Sequence, residues 1–235
     1  MRVRIAVVNV AASTGGALSI LNDFYRYVRD HGKEHEWLFI LGTARLEECE
    51  HIKVINFPEA KQNWFRRLWW DLFSAKTIIS SFQPNVVFSL QNIMVPHAKV
   101  PQVVYIHQPI PFQKEKNFSF LKSDERLLAI YQHVLAIPIW KAVRRAKAII
   151  VQTKWMKESM VNRFPKAADR IHIVPPYIEM PNGQDIIIAR PTQPVYFFYP
   201  ASSVIYKNHA CLIEAVRKLV SEDIGAFKVV LTLDG

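Results

Sequence analysis

Arg4-Ile5-Ala6-Val7-Val8-Asn9-Val10, then Ala11-Ala12-Ser13-Thr14-Gly15-Gly16-Ala17, then an apolar-spaced stretch from Leu18 to Val28, is the part of this chain that decides its fold. The first seven residues carry branched apolar side chains without polar alternation. A strand of that composition is covered on both faces, which is the condition of a parallel sheet. The turn holds paired glycines, and the stretch after it places Leu18, Leu21, Tyr25 and Val28 at helical spacing. Strand, tight turn and helix in that order form the opening of a βαβ unit.

Working outward, the runs Trp37 to Leu41, Ile52 to Asn56, Val86 to Leu90, Val103 to Ile106, Ala148 to Gln152 and Ile171 to Val174 read as further buried strands. Phe65 to Phe82, Asp124 to Ala146 and Lys154 to Arg163 read as helices between them. Ser123 and Asp124 are expected to cap the second of these, Pro138 to kink it, and Thr153 to cap the third. Strand alternating with helix predicts an α/β fold with a Rossmann-like, doubly wound parallel sheet.

The pattern then starts again. Val195 to Tyr199 is a strand, Ser202 to Lys207 a loop, His209 to Val220 a helix and Lys228 to Leu233 a strand. We therefore expect a first domain over residues 1–174, a proline-rich linker over 175–194, and over 195–235 the first βαβ of a second Rossmann-like domain. Such a domain needs upwards of about 100 residues, so the second is expected to be incomplete.

Composition narrows the function classes. Half of the 235 residues are hydrophobic, enough for a sizeable core, and no long apolar run is free of charge. The N-terminus enters a strand without a signal-peptide core, so the chain reads as cytoplasmic. Cys49 and Cys211 lie far apart with no metal-type spacing around them, which supports neither a disulfide framework nor a zinc site. A net charge of +10 favours an anionic partner.

Three places carry candidate chemistry. Gly15 and Gly16 let the backbone approach a ligand, and the helix N-terminus behind them directs free N–H groups at a phosphate or hydroxyl; a plain strand-to-helix turn has the same composition. The pattern is not GxGxxG, which argues against a nicotinamide cofactor. His107 follows a buried strand, where open α/β sheets place their ligands, although a satisfied structural histidine is equally compatible. Lys207, with Asn208 and His209 opening the next helix, is placed either to neutralise a diphosphate or to stand in solvent.

Gly15-Gly16 after the first strand, His107-Gln108-Pro109 after a middle strand, Thr153-Lys154 opening a helix, and Tyr199 to His209 followed by Leu212-Ile213-Glu214-Ala215 together resemble the GT-B glycosyltransferases of family 4, group 1. The resemblance implies two Rossmann-like domains with the active site between them. It implies retaining transfer of a sugar from a nucleotide-diphosphate sugar to a glycan or lipid-linked acceptor, as in polysaccharide or lipopolysaccharide biosynthesis. By it, His107 is catalytic and Gly15, Gly16, Ser202, Lys207 and Asn208 belong to donor binding, with no metal or other cofactor. Ser202 stands where the family commonly carries an arginine. The family's pair of donor-holding glutamates would fall beyond Gly235, so residues 1–235 alone are expected to be inactive.

Trp64, Arg66, Arg67 and Trp70 interleave aromatic and basic side chains, which suits an anionic membrane surface or an acceptor held there. With the basic end of the helix Asp124 to Ala146, they predict peripheral binding at the inner face of the plasma membrane and no nucleic-acid partner. The competing reading is a non-catalytic basic α/β module that binds nucleic acid or another anion.

Overall fold

The protein is described here from a computed structural model over residues 1–61, 75–176 and 194–233. Two compact units are present, Met1–Phe120 with Leu127–Tyr177, and Leu121–Arg126 with Ile178–Gly235.

In the first unit the opening stretch forms β1 (Arg4–Asn9) and α1 (Gly15–His31). There follow β2 (Glu36–Leu41), β3 (Ile52–Asn56), α2 (Ala75–Phe82), β4 (Val86–Ser89) and β5 (Gln102–Ile106). The strands pair in parallel in the order β3-β2-β1-β4-β5-β6-β7, the last two being Ala148–Val151 and Ile171–Ile173. The order in which strands are added reverses between β1 and β4, which makes their carboxyl ends the switch point of the sheet.

The unbroken apolar composition of these strands follows from helices on both faces. Val7, Phe39, Leu41 and Tyr105 point to the side covered by α1 through Leu21, Tyr25 and Val28. Ala6, Val8, Leu38, Ile40 and Val87 point the other way, against Ala75 and Ile79 of α2. On that second face Val104, Ile106, Ile149 and Val151 meet Ile139, Ala142, Val143, Met156 and Met160. The predicted doubly wound sheet is therefore present, with strand ends shifted by a residue or two from those read in the sequence. Of the helix expected over Phe65 to Phe82, the part Ala75–Phe82 is described; the rest lies outside the described residues.

The single kinked helix expected from Asp124 to Ala146 is corrected. Its place is taken by a short α3 (Arg126–Ala129), a π-turn (Ile130–Val134) and α4 (Ala136–Arg145). Ser123 and Asp124 do not cap it, because a turn ending in Arg126 N–H to Lys122 C=O, 3.0 Å, precedes the first helical residue. Pro138 does not kink it either: it occupies the first turn of α4, where a missing N–H costs little. The irregularity lies upstream, where the Leu135 N–H reaches back five residues to the Ile130 carbonyl at 2.9 Å. That extra residue turns buried Gln132 toward the preceding loop, where its Nε2 donates to the Lys116 carbonyl and its Oε1 accepts from the Phe118 N–H, both at 2.8 Å. At the far end the Arg170 guanidinium takes the carbonyls of Val143, Arg144 and Ala146, closing the helix end. Thr153 caps α5 (Lys154–Arg163) as read, its Oγ1 accepting from the Met156 N–H at 3.2 Å.

The second unit contains β8 (Val195–Tyr199), α6 (His209–Ser221) and β9 (Phe227–Leu231), with the two strands parallel. The expected linker over residues 175–194 falls almost wholly outside the described residues.

Candidate active site

β1 ends at the switch point in a buried polar residue. The Asn9 Oδ1 accepts from the Ala12 N–H at 3.3 Å, which folds the chain over the strand end. Beside it, Gln91, just past β4, takes the Val10 N–H on its Oε1 at 3.3 Å and ties the carboxyl ends of β1 and β4 together. Thr14 then enters α1 in an extended conformation without capping it by its side chain, and no acidic residue stands in the first turn. The leading N–H groups of α1 thus keep their partial positive charge toward the crevice. Gly15 holds φ +61°, and a Cβ added at Gly15 or Gly16 would meet nothing within 4 Å. The space over this loop is open.

His107 follows β5 on the side of the sheet that faces α1, two residues after Tyr105 of that same face. Two strand spacings, about 10 Å, separate β1 from β5. One side chain fixes it. Asn92, itself at φ 67°, accepts the N–H groups of His107 and Gln108 on its Oδ1 at 2.8 and 3.1 Å. Its amide nitrogen then faces the His107 Nε2 at 3.3 Å and can only donate. Nε2 must accept, so the ring proton sits on Nδ1, a buried atom with no hydrogen-bond partner among the described residues. Burial lowers the His107 pKa from 6.5, keeping the ring neutral near pH 7. The result is an uncharged N–H donor with no acceptor among the described residues, an arrangement that costs about 1–3 kcal/mol. Tyr105 lies beside it, ring centroids 5.7 Å apart, with its hydroxyl held by the Gln152 Nε2 at 2.7 Å.

Gly15, Gly16 and His107 lie at one edge and on one side of the first unit. Asn92, Asn9 and Gln91 join them without having been singled out beforehand. The signal for Gln91 and Asn92 was their place at the end of a buried strand, and for Asn9 its being the one amide in an apolar run. A surface hollow of about 630 Å³, lined by Arg2, Arg29, Lys33, Cys49 and His51 among others, opens at the amino end of the strands, away from this chemistry.

In the second unit, Lys207 closes a 3₁₀ turn (Ile205–Lys207), and Asn208 takes the left-handed conformation, φ 53°, before α6. The Tyr199 hydroxyl donates to the Lys207 carbonyl at 2.7 Å, and the His209 ring packs edge-on against Tyr199 at 5.4 Å. The Lys207 ammonium is exposed, 5.6 Å from the Tyr206 ring, and α6 starts with no side-chain cap and no acidic residue in its first turn. Ser202 is exposed in the same loop. This is a second uncapped helix start, here with a cation, Lys207, before it. Trp64, Arg66, Arg67 and Trp70 lie outside the described residues. Among the described residues no cluster of three or more His, Cys, Asp or Glu side chains could hold a metal ion.

The family model of Glycosyltransferase Family 4 matches residues 14–180. Among solved structures, UGT2 of Phytolacca americana, complexed with UDP-2fluoro-glucose and pterostilbene, is similar at a TM-score of 0.54 and 13% identity, over 100% of this chain and 72% of that one. The apo form of the same protein is similar at 0.53 and 12%, over 84% and 57%. LpCGTa in complex with UDP is similar at 0.52 and 13%, over 99% and 71%. At these identities the likeness is one of fold, and this chain spans 57% to 72% of the length of those structures. No curated protein matches the sequence.

Proposed function

The chain belongs to glycosyltransferase family 4, and from that premise we propose that it serves a retaining transfer of a sugar from a nucleotide-diphosphate sugar to a glycan or lipid-linked acceptor. The observation that carries the reading is the His107 ring, kept neutral by burial just past the carboxyl end of β5, with no partner for its Nδ1 among the described residues. A sugar hydroxyl is the acceptor such a donor suits. An uncharged donor there also leaves room for the positive charge that develops on the sugar ring as the glycosidic bond to the diphosphate breaks.

In this reading residues 1–174 form the acceptor-side domain, with the Gly15–Gly16 loop and the start of α1 close to the reacting groups. Residues 195–235 begin the nucleotide-sugar domain, joined through 175–194. There Lys207, Asn208 and the start of α6, with Ser202 in the loop, offset the charge of the departing diphosphate. Lys207→Ala is expected to weaken donor binding by about 1.5–3 kcal/mol. No metal or other cofactor is required by this scheme. A lipid-linked acceptor would bring the protein to the cytoplasmic face of the plasma membrane as a peripheral protein.

The test follows the anomeric proton of the new glycosidic linkage by NMR, using the protein in its longest natural form and a panel of nucleotide-diphosphate sugars. Retention of the donor's anomeric configuration is expected. An inverted product, or no transfer from any nucleotide sugar, would contradict the proposal.

A further inference from the structure

Tyr105 and Gln152 stand at the same carboxyl edge as His107, and the sense of the bond between them leaves a proton over. Tyr105 lies on the face of β5 turned to α1, in one apolar cluster with Ala12, Ala17 and Leu18 around the start of that helix. Gln152 directly follows β6. In the parallel register Tyr105 faces Ile150, so Gln152, two residues on, falls on the same face just past the strand end. Its Nε2 comes within 2.7 Å of the Tyr105 hydroxyl oxygen.

An amide nitrogen donates and cannot accept, so the Tyr105 oxygen is the acceptor in this bond. The hydroxyl's own proton is thereby turned away from Gln152. Among the described residues nothing receives it. Burial raises the Tyr105 pKa from 10.0, against the opposing pull of the Gln152 bond, so the proton stays on the oxygen near pH 7. The Tyr105 residue is only 5% exposed, whereas Gln152 is half-buried, which puts their bond at the lip of the crevice rather than deep in the core. A tie between two strand ends would be served as well by the opposite sense, tyrosine O–H to amide oxygen. That sense would leave no donor free.

We propose that Tyr105 is a second donor to the transferred sugar beside His107, and that Gln152 is a positioning residue that turns the Tyr105 O–H into the crevice. The two rings lie 5.7 Å apart, centroid to centroid, and each offers one uncharged hydrogen-bond proton. Such a pair suits neighbouring hydroxyls of one pyranose, while a phosphate or carboxylate would call for cations. The inference rests on the sugar-transfer reading and deepens it by naming residues that select the sugar.

The test is steady-state kinetics of the protein in its longest natural form, with a nucleotide-diphosphate sugar that wild type transfers and with deoxy analogues of that sugar. Tyr105→Phe should lower kcat/KM roughly fivefold. Gln152→Glu keeps the tie but offers only acceptors, so it draws the tyrosine proton back; it should match Tyr105→Phe, and Tyr105→Phe/Gln152→Glu should fall no further than either. With one of the deoxy analogues, wild type and Tyr105→Phe should become equal. Full activity of either single variant, an additive loss in the double variant, or a Tyr105→Phe deficit that persists with every deoxy analogue would overturn the inference. In the free protein, neutron diffraction should place the Tyr105 deuteron off the line to Gln152; a deuteron shared with the Gln152 Oε1 would overturn it whatever the kinetics. No transfer by wild type would remove the sugar-transfer reading and this inference together, whereas variants equal to an active wild type would remove this inference alone.

Discussion

Gly15 and Gly16 stand side by side, yet substitution at each has a different consequence. Gly15 holds a positive φ, so Gly15→Ala should cost roughly 1–2 kcal/mol, measured by urea unfolding. Gly16 has free space where a Cβ would go. Gly16→Ala should therefore leave the unfolding midpoint unchanged or slightly raised while weakening substrate affinity. A fall in stability for both would show that the loop packs against protein and is no ligand cradle. Asn92 makes a sharper residue-scale claim. Long-range ¹⁵N correlation of the His107 ring should show the Nδ1–H tautomer, and Asn92→Ala should release the ring to a mixture; an Nε2–H tautomer in the wild type would refute the assignment. The pH dependence follows with a fixed sign. Because burial lowers the His107 pKa below 6.5, the unfolded chain binds the proton more readily. Stability is thus fully present above about pH 6.5 and lost as pH falls through the folded-state value. His107→Gln should flatten that part of the curve, and an identical slope in the variant would place its origin elsewhere. His107 was legible in the sequence as a residue after a buried strand. Asn92 was not, since 15 residues separate the two and only the pairing of β4 with β5 joins them.

At the scale of elements, α1 is closed at its C-terminal end by Gly32, whose Cβ, if present, would sit 2.6 Å from the Val28 carbonyl and 2.8 Å from the Trp37 Nε1. The Trp37 indole N–H donates to the Gly32 carbonyl at 2.9 Å, so helix end and β2 meet at one point without slack. Gly32→Ala should destabilise by about 1–3 kcal/mol, read from denaturant unfolding, and a neutral result would mean that the α1–β2 corner yields. Thr153→Ala should cost about 1 kcal/mol by removing the cap of α5. The strands of the first unit were readable because burial on both faces imposes unbroken apolar runs. The π-turn was not, because Leu-Leu-Ala-Ile-Tyr-Gln-His-Val suits an α-helix equally well. What selects the wider turn is the tertiary pull of Lys116 and Phe118 on Gln132.

For the whole molecule, the two units differ in how much sheet they hold. Seven parallel strands covered on both faces give the first a continuous core, whereas β8 and β9 pair as two strands, with Tyr196, Phe197 and Phe198 more than half exposed. Two strands are marginal alone. Amides of β8 and β9 should therefore exchange with solvent well before those of β1 and β5, and equal protection would contradict this ranking. The proposed seat of sugar transfer is the carboxyl edge of the first sheet, with His107 as its neutral donor. The measurement that tests it most directly is the transfer rate of His107→Ala beside wild type in the longest natural form of the protein, with a matched far-ultraviolet spectrum. The expected result is a loss of roughly 10- to 100-fold in kcat/KM; unchanged kinetics in a folded variant would contradict the claim.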